Sequence, residues 1–147
     1  MELAVTANRR DCGWATGKNI DFLGWFSNDY LLVNALRRSG GFGLLWQDCP
    51  WWHEYMKINA SYKLGTYLAA GLPVIVSGTI AESETIRHKN LGIVVDSVEE
   101  AVERVNEMKE EQYKKMADDA GLFSDLIREG YFTKKILIDA VFKLLYD

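Results

Sequence analysis

Lys63 is the residue from which chemistry can first be read in this chain. The sequence places it in the first turn of a helix, with Ser61 suited to the helix start, Gly71 to its stop and the apolar run Pro73-Val74-Ile75-Val76 directly after. At that point the uncapped amides and the helix dipole already make the potential positive, so a cation there is in conflict with its surroundings. A bound phosphate group relieves the conflict, with the ammonium and the free amides as donors. The competing reading is a solvated lysine that bends away, since the dipole penalty is only ~0.3–1 kcal/mol. Glu84 is the second candidate. It falls early in the helix after Val76, where a carboxylate can accept hydrogen bonds from the paired hydroxyls of a ribose, although an acidic residue in a first turn is also favoured by the dipole alone.

The elements that must position these residues follow from the pattern of apolar runs and turn residues. Glu2 to Ala7 and Ile20 to Leu23 read as two strands, joined by a polar loop carrying Arg9, Arg10 and Lys18. Asn28 suits the start of a helix reaching Ser39, and Gly43 to Trp46 is a third strand. A loop with Pro50 and the cluster Trp51-Trp52-His53-Glu54-Tyr55 leads to the Ser61 helix and the Pro73 to Val76 strand. A short helix from Glu82 to Lys89 follows, and Gly92 to Asp96 is the fifth strand. Ser97 and Glu100 form a capping-box pattern that opens a helix to Met108. Helices from Glu111 to Glu129, with Gly121 as a candidate point of interruption, and from Thr133 to Tyr146 close the chain. Strand and helix alternate five times, and the strands at Val74 to Val76 and Ile93 to Val95 are apolar without alternation, which is the mark of a parallel sheet covered on both faces. The expected fold class is α/β, a Rossmann-like, doubly wound parallel sheet. In such sheets ligands lie beyond the carboxyl ends of strands, and Lys63 and Glu84 both fall in such segments.

Composition narrows the function classes. The chain has 147 residues, 48% of them hydrophobic, and only two prolines, which suits one ordinary domain with a full core. No apolar run approaches the roughly 20 residues of a membrane span, and no leader pattern opens the chain, so a cytoplasmic location is expected. Cys12 and Cys49 are isolated and suit free thiols. A net charge of −4 argues against a nucleic-acid backbone as partner. The dinucleotide fingerprint is absent, because Gly40-Gly41-Phe42-Gly43 precedes a strand instead of following one.

The series Phe22-Leu23-Gly24-Trp25-Phe26, Gly41 to Trp46, Tyr62 to Val76, Glu84 and Gly92 to Asp96 resembles the C-terminal half of a GT-B glycosyltransferase. Within that superfamily it is similar to the bacterial glucosyltransferases that extend O-linked N-acetylglucosamine on serine-rich-repeat adhesins, and to galactofuranosyltransferase-like proteins. The resemblance spans essentially the whole chain, including Glu129 to Lys135. It implies one half of a GT-B architecture, with residues 1–147 as a single donor-binding domain whose N-terminal acceptor domain is absent. It further implies that Lys63 is the catalytic cation and that Tyr62, Lys63, Leu64, Gly65, Thr66 and Tyr67 hold the donor diphosphate, with Glu84 on its ribose. Gly24 to Ser27 corresponds to a wall near the nucleobase. The chain departs from the wider superfamily at Ile58-Asn59-Ala60, where many members carry an acidic residue and a glycine-rich turn near the donor sugar.

That resemblance implies hexosyl transfer from a UDP-sugar, UDP-glucose above all, to a glycan acceptor such as O-linked N-acetylglucosamine on a serine-rich glycoprotein. Transfer requires the leaving diphosphate to carry away negative charge, which enzymes stabilise with a divalent metal or with fixed cations and helix amides. The chain has no Asp-x-Asp pair, two histidines and no ligand cluster, so a metal-free and cofactor-free mechanism through Lys63 and the helix start is expected; Arg9 or Arg10 is a candidate further cation, against the commoner reading of solvated loop arginines. By itself this part is expected to bind donor weakly and transfer nothing. A noncatalytic nucleotide- or partner-binding module on the same fold is the alternative.

Three side features have expectations of their own. Two adjacent tryptophans in a loop cannot both enter one core, so one of Trp51 and Trp52 is expected exposed, as a domain or subunit contact before a sugar platform. His53 is expected to be a hydrogen-bonding loop residue. The apolar face of the last helix, Ile136, Leu137, Ala140, Val141 and Leu144, is expected to pack in the core, and homo-oligomerisation remains open.

Overall fold

A computed structural model describes residues 3–7, 10, 13 and 19–146. Arg9, Cys12 and Lys18 lie outside the described residues. Residues 1–40 and 41–147 form two compact units. In the first, β1 (Leu3–Val5) and β2 (Ile20–Phe22) pair in parallel, Leu3 opposite Ile20 and Val5 opposite Phe22. Helix α1 (Asp29–Ser39) starts as expected at Asn28, whose Oδ1 accepts the Tyr30 amide at 2.7 Å.

The second unit holds β3 (Gly43–Leu45), α2 (Pro50–Met56), α3 (Tyr62–Ala69), β4 (Val74–Ser77), α4 (Ser83–His88), β5 (Gly92–Val95), α5 (Val98–Glu107), α6 (Glu110–Arg128) and α7 (Tyr131–Tyr146). Its strands form a parallel sheet in the order β3-β4-β5, Val76 lying between Leu45 and Val94. Among the described residues all pairing is thus parallel, as the buried apolar runs of β4 and β5 lead one to expect, but the strands fall into two sheets. Central β4 shows why its run is continuous. Val74 and Val76 are 0% exposed and pack with Leu45, Met56, Leu64, Leu68 and Ile86, while Ile75 on the opposite face joins Ile93, Val95 and Ala101. Helices α3 and α4 therefore cover one face of this sheet and α5 the other.

Local chemistry explains the ends of the site helix. After the α3 C-cap Ala70, Gly71 at φ 75° donates to the Leu68 carbonyl and Leu72 donates to that of Tyr67, both at 3.0 Å, a Schellman closure that turns the chain straight into β4. Ser61 stands at the N-cap with extended backbone, but its side chain caps nothing. At α5 the Ser97 hydroxyl accepts the Glu100 amide at 3.1 Å, while the Glu100 carboxylate takes the amide of Asp96 at 2.8 Å, one residue before the expected partner.

Three expectations are corrected. The Trp51 to Tyr55 cluster is helical, because Pro50 occupies the first helical position, where its missing N–H is no loss. Helix α6 runs unbroken through Gly121, which lies where α3 meets α6: a Cβ on Gly71 would stand 3.6 Å from the Gly121 Cα, and Ser124 Oγ donates to the Ala69 carbonyl at 2.8 Å. The apolar face of α7 does not enter the core. No α7 residue is buried, with Leu144 84% and Ile136 68% exposed, since both core clusters are filled by other elements. Among the described residues no helix is long and apolar enough to cross a membrane.

Candidate functional site

The carboxyl end of β3 and the start of α3 enclose a cavity of about 200 Å³ in the second unit. Its floor is the core residue pair Leu45 and Met56, and its aromatic walls are Trp46, Trp52, Tyr55, Tyr62 and Tyr67. Polar groups come from Gln47, Asn59, Ser61 and Lys63. The arrangement follows from local structure. Trp46 is the first residue past β3, its indole N–H fixed to Asp48 at 2.8 Å. The paired tryptophans divide as helix geometry requires, Trp52 packing against the core and Trp51 left 66% exposed.

Lys63 is the second residue of α3 and lies on the cavity wall. Among the described residues it has no ion-pair partner. The amides of Lys63 and Leu64 have no acceptor inside the helix, and the Ser61 side chain takes neither. An exposed ammonium beside such amides forms an anion site at low cost. Tyr67 lies one helical turn on, half-buried, and burial pushes its phenol above the usual tyrosine range. Its ring rests on the backbone of Gly43, where any Cβ would overlap it.

The other sequence candidates are distributed differently. Tyr62 and Tyr67 join Lys63 at the cavity, whereas Leu64 is 4% exposed in the core and Thr66 turns inward, its hydroxyl donating to the Tyr62 carbonyl at 3.0 Å. Of those two, only Leu64 offers a main-chain amide in the first turn, because from Gly65 onward the amides are taken up, Gly65 donating to the Ser61 carbonyl at 3.2 Å. Gly65 is exposed on the same turn. Glu84 does not line the cavity. It is exposed in the first turn of α4, held by Arg87 at 2.6 Å and near His88 at 3.9 Å. Such exposed pairs are worth only ~0–1 kcal/mol, so a diol can displace them. Arg10 is exposed, and Gly24 to Ser27 follow β2 in the first unit with Trp25 75% exposed.

Among the described residues, two larger hollows lie elsewhere in the second unit. One of about 320 Å³ is lined by Arg87 and Arg104, each paired with a carboxylate, and one of about 490 Å³ by Lys109, Lys114, Glu110 and Glu111. Trp46, Gln47, Trp52, Tyr55 and Asn59 were not singled out as site residues from sequence. The position of Trp46 just past a parallel strand was the available signal; the others are gathered only by the fold.

Residues 1–140 match the family model described as the glucosyltransferase 3-like C-terminal domain. The chain belongs to that family. Its relatives include two proteins named glucosyltransferase 3, from Streptococcus gordonii at 45% identity and Streptococcus parasanguinis at 37%, over 86% and 88% of this chain. Beta-1,6-galactofuranosyltransferase WbbI of Escherichia coli (strain K12) is 29% identical over 68% of the chain and 32% of its own length. The chain spans 38% of each glucosyltransferase 3 relative. Family membership therefore identifies the chain as a glucosyltransferase 3-like C-terminal domain.

Proposed function

We propose that this domain binds the nucleotide-sugar donor of a glycosyltransferase, Lys63 and the α3 amides holding the diphosphate and Glu84 the ribose. The observation that carries the reading is an ammonium with no ion-pair partner among the described residues, at a helix start without a side-chain cap, on the wall of a cavity at the carboxyl end of a parallel strand. The frame is one doubly wound half of a GT-B architecture, residues 1–147 acting as a single domain in the cytoplasm. At about 200 Å³ the cavity is below the 300–1,000 Å³ of a whole ligand pocket, so it takes the diphosphate and the adjoining sugar and leaves the nucleobase outside. The transferred group is a hexose from a UDP-sugar, UDP-glucose above all, and the acceptor is a glycan, O-linked N-acetylglucosamine on a serine-rich glycoprotein. An N-terminal acceptor domain would complete the enzyme, and a second copy of the chain is a possible further partner.

In transfer, charge gathers on the leaving diphosphate as the glycosidic bond breaks. Lys63 is placed to stabilise that charge with no metal ion, and losing one such oriented donor costs roughly 2.7–4 kcal/mol in comparable sites. Titration calorimetry with UDP and UDP-glucose tests the reading. Wild type is expected to bind both, with Lys63→Ala weakening each at least tenfold and EDTA changing neither; wild-type affinity retained in Lys63→Ala would refute it.

A further inference from the structure

His53 on α2 is flanked by Trp46 and Trp52, with ring centroids 6.5 and 5.5 Å away, and both tryptophans line the Lys63 cavity. Its Nδ1 lies 3.4 Å from Thr79 Oγ1, which is 2.9 Å from Ser77 Oγ. Ser77 ends β4 and is 3% exposed, while Thr79 is exposed in the turn beyond. Counting donors narrows the direction of this chain. Ser77 Oγ already accepts the Thr79 backbone N–H at 3.3 Å, and its own buried hydroxyl hydrogen needs an acceptor. Thr79 Oγ1 is that acceptor. With that acceptor used, two arrangements satisfy the chain: the Thr79 hydroxyl donates to a bare His53 Nδ1 and the ring proton sits on Nε2, or Nδ1–H donates to Oγ1 and the Thr79 hydrogen faces solvent.

In the first arrangement Thr79 turns a lone pair, and no hydrogen, toward solvent at the carboxyl end of β4, where parallel sheets take ligands, and it is the arrangement the proposal below takes. An oxygen with no hydrogen to give accepts from a hydroxyl group and repels a phosphate oxygen. We propose that Thr79 accepts a hydrogen bond from a sugar hydroxyl of the ligand whose diphosphate Lys63 holds, and that His53 is the positioning residue that fixes the Thr79 hydroxyl as an acceptor. This rests on the donor-binding reading above. The shared chemistry is a sugar hydroxyl, carried by the ribose or by the transferred hexose.

Nitrogen NMR of the His53 ring and calorimetry with UDP-glucose, UDP and inorganic pyrophosphate test it together. The proton is expected on Nε2. Thr79→Val and His53→Leu are each expected to weaken UDP-glucose binding by about five- to tenfold, the scale of one net hydrogen bond, and to leave pyrophosphate binding unchanged. His53→Asn, with an amide oxygen near the place of Nδ1, is expected to restore most of the affinity. An equal loss with UDP assigns the ribose, and a loss confined to UDP-glucose assigns the hexose. A proton on Nδ1, wild-type binding by Thr79→Val, or an equal loss toward pyrophosphate overturns the proposal. Wild type that binds neither nucleotide removes the donor-binding reading as well, whereas a wild type that binds and a Thr79→Val variant that matches it removes this inference alone.

Discussion

At the scale of single residues, the site depends on where one aromatic ring rests. Tyr67 lines the cavity with its ring seated on Gly43, so Gly43→Ala must push the ring away. Overpacking of this kind costs roughly 1–3 kcal/mol, and the expected outcome is a lowered urea midpoint together with weaker UDP binding. The same ring carries a pH signature. Burial raises the Tyr67 phenol above its unfolded value of about 10, so the folded state resists its ionisation. Below pH 10 the phenol is neutral in both states and contributes nothing to pH dependence; as pH rises past that point the unfolded chain ionises first, and stability falls until the folded phenol also ionises. Tyr67→Phe is expected to lose this component, seen as a shallower decline of the urea midpoint between pH 9 and 11 relative to wild type. Lys63 was legible at this scale because a cation in a first helical turn is unusual. The hydroxyl chain from Ser77 to His53 was not, because it joins residues 24 positions apart.

At the scale of elements, α3 and β4 were legible together because their boundary is set by local chemistry. Gly71 takes φ 75° and closes two hydrogen bonds, a conformation costing an L-residue roughly 1–2 kcal/mol. Gly71→Ala is therefore expected to lower stability by about that amount, through strain alone, since its Cβ would meet Ser124 and Gly121 only at ordinary contact distances. Ser97→Ala is expected to cost about 1 kcal/mol by uncapping α5, measurable by thermal or urea unfolding. Helix α2 was illegible for the opposite reason. Pro50 and two tryptophans read as a loop, but a proline is harmless at the first helical position, and the apolar side of so short a helix emerges only when Trp52 and Met56 meet the core.

At the scale of the whole molecule, α7 is the feature most at odds with its own pattern. It carries apolar residues almost all round and buries none of them, whereas β4 buries every residue. Leu144→Lys and Ile136→Lys are accordingly expected to change unfolding free energy by no more than about 0.5 kcal/mol while reducing concentration-dependent association in sedimentation analysis, because exposed apolar patches of this kind promote contacts. Val76→Ala, in contrast, is expected to cost roughly 2–3 kcal/mol at a position with no exposure.

Sequence alone determined the parallel strands, the ends of α1, α3 and α5, and the electrostatic oddity of Lys63, because each rests on interactions within a few residues: capping, a left-handed glycine, an unbroken apolar run. Tertiary structure decided which neighbours the cation has, that Glu84 stands apart from the cavity lined by Tyr62 and Tyr67, that Gly121 receives the end of α3, and that the last helix lies outside the core. The physical reason is that periodicity reveals which face of an element is apolar, whereas only the packed chain settles what that face touches, and chemistry at a site depends on those contacts.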